Sequence, residues 1–127
     1  MATHITPEEQ QALAKMLLKL LDDWKLSSEQ QISLLGMPDS TRIRALARHR
    51  AGEPLPDDGQ LLARTQHLLA IERALHTSFP TNVALANFWI TTENQYFGGR
   101  TPLEIMLEEG MDGIERVRAH LEHTDGW

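Results

Sequence analysis

Thr6-Pro7-Glu8-Glu9 and Thr101-Pro102-Leu103-Glu104 spell the same local instruction near opposite ends of the chain. In each, a threonine can cap a helix. A proline follows at the first helical position, where its missing N–H costs nothing, and a glutamate three residues after the cap can reach back to it. Nowhere does the chain show the apolar–polar alternation of a strand. A chain written this way is restricted to packing helices on helices.

The apolar spacing carries the helices on from those starts. Leu13, Met16, Leu17, Leu20, Leu21 and Trp24 recur on one stripe, which predicts a helix from Pro7 to near Lys25. Ser27 with Gln30 is a further capping box, and Gly36 a helix stop. Asp39 or Ser40 then caps an expected helix from about Thr41 to His49, ended by Gly52, Pro54 and Pro56. The stretch GEPLPDDG is the clearest linker. A long helix is expected from near Asp57 to about Thr77, with Leu61, Leu62, Leu68, Leu69 and Leu75 inward. Pro80 breaks the chain, and Thr81 or Asn82 starts a short helix through Phe88 and Trp89. TTENQYFGGR reads as a loop. Helices from Thr101 to about Glu109 and from about Met111 to His123 finish the chain, the last lined by Met111, Ile114, Val117 and Leu121. The fold class is all-α, with about seven helices. Residues 1–56 form a helix-turn-helix-like unit, and residues 57–127 a second helical region.

At 127 residues and 41% hydrophobic, the chain can build a real core, as one domain or as two small units sharing it. Without cysteine it has no disulfide, thiolate metal site or cysteine nucleophile. No apolar run is long enough for a membrane span, and MATHITPEEQ lacks the pattern of a signal peptide, so a cytoplasmic protein is expected.

The net charge of −6 is unevenly spread. Met37 to Gly52 carries Arg42, Arg44, Arg48 and Arg50 against Asp39 alone. Thr101 to Trp127 carries Glu104, Glu108, Glu109, Asp112, Glu115, Glu122 and Asp125 against Arg116 and Arg118. Such a split suits two partners of opposite sign. In the basic island, two short helices meet at LLGMPDS, as in a helix-turn-helix. The second helix would then enter the DNA major groove N-terminus first. Ser40, Thr41, Arg42 and Arg44 are the candidate DNA contacts, with Arg48 and Arg50 on backbone phosphates. The plain alternative is a solvated basic face on an ordinary helix pair. Binding would need a dimer, because one short module covers too little DNA.

The remaining chemistry is sparse. Of His4, His49, His67, His76, His120 and His123, no pair matches a His-Glu-x-x-His site. His120 and His123 read as exposed residues of a terminal helix rather than metal ligands. No nucleophile elbow or complete phosphate-binding loop is present, so no enzymatic activity, metal, cofactor or small-molecule substrate is expected. Gly98 to Thr101 could hold an anion at a helix start, but Pro102 removes an N–H and Glu104 adds a negative charge. Capping leaves Arg100 unexplained: it braces the loop or faces a partner.

FWITTENQYFGGRTPLEIMLEEGMDGIERVRAHLEHTDGW resembles the C-terminal toxin-binding domain of Xre/MbcA/ParS antitoxins, with the signature at about residues 79–127. WKLSSEQQISLLGMPDSTRIRALARHRAG is similar to that family's Xre-like helix-turn-helix. The resemblance implies an antitoxin that neutralises a RES-domain toxin acting on NAD⁺ by covering its active-site cleft. It also implies binding to operator DNA, expected here as a homodimer. Phe97, Gly98, Gly99 and Arg100, with Thr101 and Pro102, form the signature loop. Val117, Leu121, His123, Asp125, Gly126 and Trp127 are the further candidate toxin contacts. Family members often carry prolines where this chain has TTENQY. A stand-alone dimeric regulator with no toxin is the alternative.

Overall fold

A computed structural model of the chain describes residues 6–38 and 40–123. Among them are seven α-helices: α1 (Pro7–Asp23), α2 (Ser28–Leu35), α3 (Ile43–Arg50), α4 (Gly59–Ser78), α5 (Val83–Trp89), α6 (Pro102–Glu109) and α7 (Met111–His123). A single 3-10 turn covers Gln95–Phe97. The described residues contain no strand, only an isolated antiparallel bridge between Asn94 and Arg100. The all-α reading is therefore correct.

All three capping boxes close as their residues dictate. Glu9 N–H donates to Thr6 Oγ1 at 3.1 Å and Thr6 N–H to Glu9 Oε1 at 2.9 Å. Ser27 with Gln30 and Thr101 with Glu104 repeat the exchange. Asp58 caps α4 through Gln60 N–H at 2.8 Å, and Asn82 caps α5 through Leu85 N–H at 3.0 Å.

α3 departs from expectation. It begins at Ile43, not near Thr41, with Arg42 at the cap position and no side-chain cap. Thr41 N–H donates to Pro38 O at 2.9 Å, which turns the chain before the helix can start. Ser40 and Thr41 thus lie in the connection, and Asp39 lies outside the described residues.

The core is one apolar cluster. Leu17, Leu18, Leu20, Leu21 and Trp24 of α1 meet Leu34 and Leu35 of α2, Leu46 of α3, and Leu68, Ile71 and Leu75 of α4, and the cluster continues through Ile114, Val117 and Leu121 of α7. α4 packs chiefly along α7, and also meets α1, α2 and α5. Two expected core positions lie outside: Met16 and Leu62 are exposed. Met16 falls just past the edge of the α1 sector that Ala14 and Leu18 extend in the other direction.

Arg64 ties α4 to α2. Its Nη1 donates to Leu34 O at 2.9 Å, satisfying a carbonyl of the last turn of α2. A cation there also suits the negative end of the helix dipole.

Candidate functional site

The loop between α5 and α6 is closed by its own backbone. Asn94 N–H donates to Arg100 O at 3.1 Å, and Gly99 N–H to Asn94 O at 3.0 Å. The Asn94 side chain accepts from Tyr96 N–H at 2.8 Å. Gly98 and Gly99 have φ of 69° and 86°, while a Cβ at either would meet nothing within 4 Å. Backbone conformation, not space, asks for glycine here. Arg100 forms an ion pair with Glu108 of α6, so it braces the loop. The Thr101 amide and hydroxyl hold the Glu104 carboxyl below its ordinary pKa. That occupied, negative helix start leaves no anion cradle.

Behind the loop sits a cluster of rings centred on His120 of α7. Tyr96 stacks on its imidazole with centroids 4.0 Å apart, Trp89 at 6.2 Å, and Phe97 meets it edge-on at 5.5 Å. Arg116 lies over the Phe97 ring at 5.7 Å and pairs with Glu109 at 2.6 Å. His120 was expected to be exposed; it is buried, because these rings cover it. Burial pushes its imidazole below the ordinary pKa of 6.5, so the ring is neutral near pH 7.

The expected contact residues divide by burial. Gly98 and Gly99 are exposed, and Arg100 is partly so. Phe97, Val117 and Leu121 are 4%, 0% and 2% exposed. Their side chains hold α7 and the loop in place and are almost wholly covered by the fold. The reason is the position of α7, which is pressed between α4 and α6 along the face that carries Val117 and Leu121. His123 is exposed in the last turn, while Asp125, Gly126 and Trp127 lie outside the described residues.

Residues outside that set supply the accessible apolar surface. Val83, Leu85 and Phe88 of α5 and Tyr96 of the 3-10 turn are large and exposed. The sequence holds a signal for the three on α5: from Ala74 to Thr92 there is no Asp, Glu, Lys or Arg, in a chain that is 24% charged.

The acidic character of the C-terminal helices is partly spent internally. Glu108 pairs with Arg100, Glu109 with Arg116, and Glu122 with Arg118 at 3.0 Å. Asp112 and Glu115 are exposed and have no ion-pair partner among the described residues.

On α3, the arginines fall into two groups. Arg50 Nε donates to Asp22 at 2.7 Å and its guanidinium also reaches Gln31, so this side chain joins α3 to α1 and α2. Burial alone would raise the Asp22 pKa, but hydrogen bonds from Arg50 and Gln31, with the Arg50 charge, bring it below its ordinary value. Arg50 is therefore committed within the fold rather than available to a phosphate. Arg48 pairs loosely with Glu53 at 3.4 Å across solvent-exposed side chains, a contact a stronger partner can replace. Arg42 and Arg44 are exposed, with no ion-pair partner among the described residues.

Among the described residues no group of three metal-ligating side chains forms, and no helix is long and apolar enough to cross a membrane. A shallow groove of about 290 Å³ runs between the last turns of α4 and α7, floored by Ala70, Ala74 and Leu121.

Residues 74–126 match the model of the antitoxin Xre/MbcA/ParS C-terminal toxin-binding domain. That span begins at the charge-free run and takes in α5, the braced loop, α6 and α7. The chain is also 36% identical over 108 residues to a protein of Sinorhizobium fredii (strain NBRC 101917 / NGR234), "Uncharacterized protein y4oB", covering 85% of this chain and 80% of that one. With the all-α fold and the toxin-binding segment in place, the chain belongs to the Xre/MbcA/ParS family of antitoxins.

Proposed function

We propose that this antitoxin neutralises a RES-domain toxin by covering the cleft where the toxin binds NAD⁺. The observation that carries this reading is the match of residues 74–126 to a toxin-binding domain, with α6 and α7 packed on the shared core. A cleft built for an anionic dinucleotide is positive. Asp112 and Glu115, exposed and without an ion-pair partner among the described residues, supply complementary charge there. Gly98, Gly99, Arg100, His123, Asp125, Gly126 and Trp127 remain proposed contacts. Co-expression tests this: growth arrest caused by a cognate RES-domain toxin is relieved by the full chain. Undiminished arrest in cells that accumulate the folded chain would refute it.

A second reading accompanies the first, favoured by Arg42 and Arg44. We infer that the α2–α3 pair is a helix-turn-helix that binds operator DNA as a homodimer, with residues 1–56 as the DNA-binding unit. Arg42 at the α3 cap and Arg44 in its first turn, on a helix with no acid in that turn, suit phosphate and guanine contacts. Ser40 and Thr41 stand beside them in the connection, and Arg48 can leave Glu53 for a phosphate. The expected result of Arg42→Ala or Arg44→Ala is operator affinity weaker by roughly tenfold each, with a shallower salt dependence. Unchanged affinity and slope in a gel-shift salt series would remove α3 as the reader, and a chain binding DNA with no toxin partner would favour a stand-alone regulator.

A further inference from the structure

We propose that the outer face of α5, centred on Phe88, is the surface on which the toxin docks; this rests on the toxin-binding reading above and names the face that serves it. At 100° per residue, Ala84, Leu85 and Phe88 share one side of α5, opposite the buried Ala86. On this side Phe88 is 61% exposed and Leu85 44%; Val83, 53% exposed, lies on a different side of the helix, and Tyr96, 61% exposed, lies beyond its end. The run Ala74–Thr92, which contains all of α5, carries no Asp, Glu, Lys or Arg; the exposed Glu93 follows it, before Tyr96. Depletion of charge with enrichment of aromatics is the mark of an interface centre, and exposed aromatics are its usual anchors.

The face is also held ready. Asn82 caps α5, Leu103 N–H of α6 donates to Ile90 O at 3.0 Å just beyond it, and Trp89 stacks on His120. A surface fixed before binding loses little entropy on docking.

Position in the chain favours the toxin over a second copy as occupant. Seven large apolar residues are exposed among the described ones. Val83, Leu85, Phe88 and Tyr96 all fall inside the matched toxin-binding segment, whereas Met16, Ile43 and Leu62 are scattered over α1, α3 and α4. The partner surface required is an apolar pocket with little charge, able to take an aromatic ring.

Phe88→Glu tests this, because an exposed side chain can change without cost to the core. The full-length variant and wild type are compared for binding to a purified cognate RES-domain toxin, for sedimentation and for thermal unfolding. Phe88→Trp serves as the conservative variant. The proposal expects an unchanged Tm, an affinity at least ~30-fold weaker for Phe88→Glu, and near-wild-type affinity for Phe88→Trp. Equal toxin affinity for Phe88→Glu and wild type overturns the proposal and leaves the antitoxin reading standing. Loss of self-association with toxin affinity retained overturns it in favour of a second copy on this face. Failure of the wild-type chain to bind overturns the antitoxin reading as well.

Discussion

Replacing Gly113 by alanine is expected to lower the melting temperature by on the order of 10 °C. Gly113 lies in the first turn of α7, where that helix crosses α6. A Cβ there would sit 2.3 Å from the Ile105 carbonyl oxygen and 2.9 Å from its carbon. Those are backbone atoms of the neighbouring helix, so the overlap is relieved only by prising α6 and α7 apart. Helix propensity pulls the other way, favouring alanine over glycine by about 1 kcal/mol. Overpacking of a fixed contact costs about 1–3 kcal/mol, and a 2.3 Å approach to backbone lies at the severe end. The clash therefore wins. Gly59→Ala is the control: a Cβ there meets nothing within 4 Å, so that variant should unfold at or slightly above the wild-type temperature. Equal melting of Gly113→Ala and wild type would show that α6 and α7 do not meet this closely.

Leu121→Ala should cost about 2–5 kcal/mol of stability while leaving toxin affinity unchanged at temperatures where the variant is folded. Leu121 packs inside the cluster joining α4 to α7, and truncation leaves a cavity with little to fill it. The family resemblance placed Leu121 among the toxin contacts, and burial argues otherwise. Thermal unfolding with calorimetric titration of the toxin separates the two roles. A variant with wild-type stability and lost toxin binding would put Leu121 on the surface.

The helix starts were the most legible part of the sequence, because capping is settled within four residues. Thr6, Ser27 and Thr101 each close the box their neighbours allow. The start of α3 was read two residues early because a turn at Pro38–Thr41, not a side-chain cap, sets it. Which side of a helix is buried was harder to read. Met16 and Leu62 look like stripe residues in one dimension, but they lie beyond the sectors that α1 and α4 bury. The site is legible in the sequence as a segment, residues 74–126. Which of its side chains reach the surface is not: the resemblance points to Val117 and Leu121, whose helical spacing is also what builds a core, and both are buried. The role of His120 depended on Trp89, Tyr96 and Phe97, which are distant in the chain, so no local pattern could reveal it. Arg100 needed Glu108 for its explanation, one helix further on.

Arg64 joins the two ends of the fold through one side chain. Beyond its bond to Leu34, its guanidinium lies 3.3 Å from where a Cβ of Gly110 would be, at the junction of α6 and α7. One side chain of α4 thus reaches the end of α2 and the turn between α6 and α7, within a core that is shared.

The most direct test of the antitoxin account is inhibition in a purified system. A purified cognate RES-domain toxin is assayed for NAD⁺ consumption while the full chain is titrated in. The account predicts that turnover falls to background at a fixed stoichiometric ratio and that the two proteins co-elute. NAD⁺ consumption that continues at the uninhibited rate in excess folded chain would contradict it.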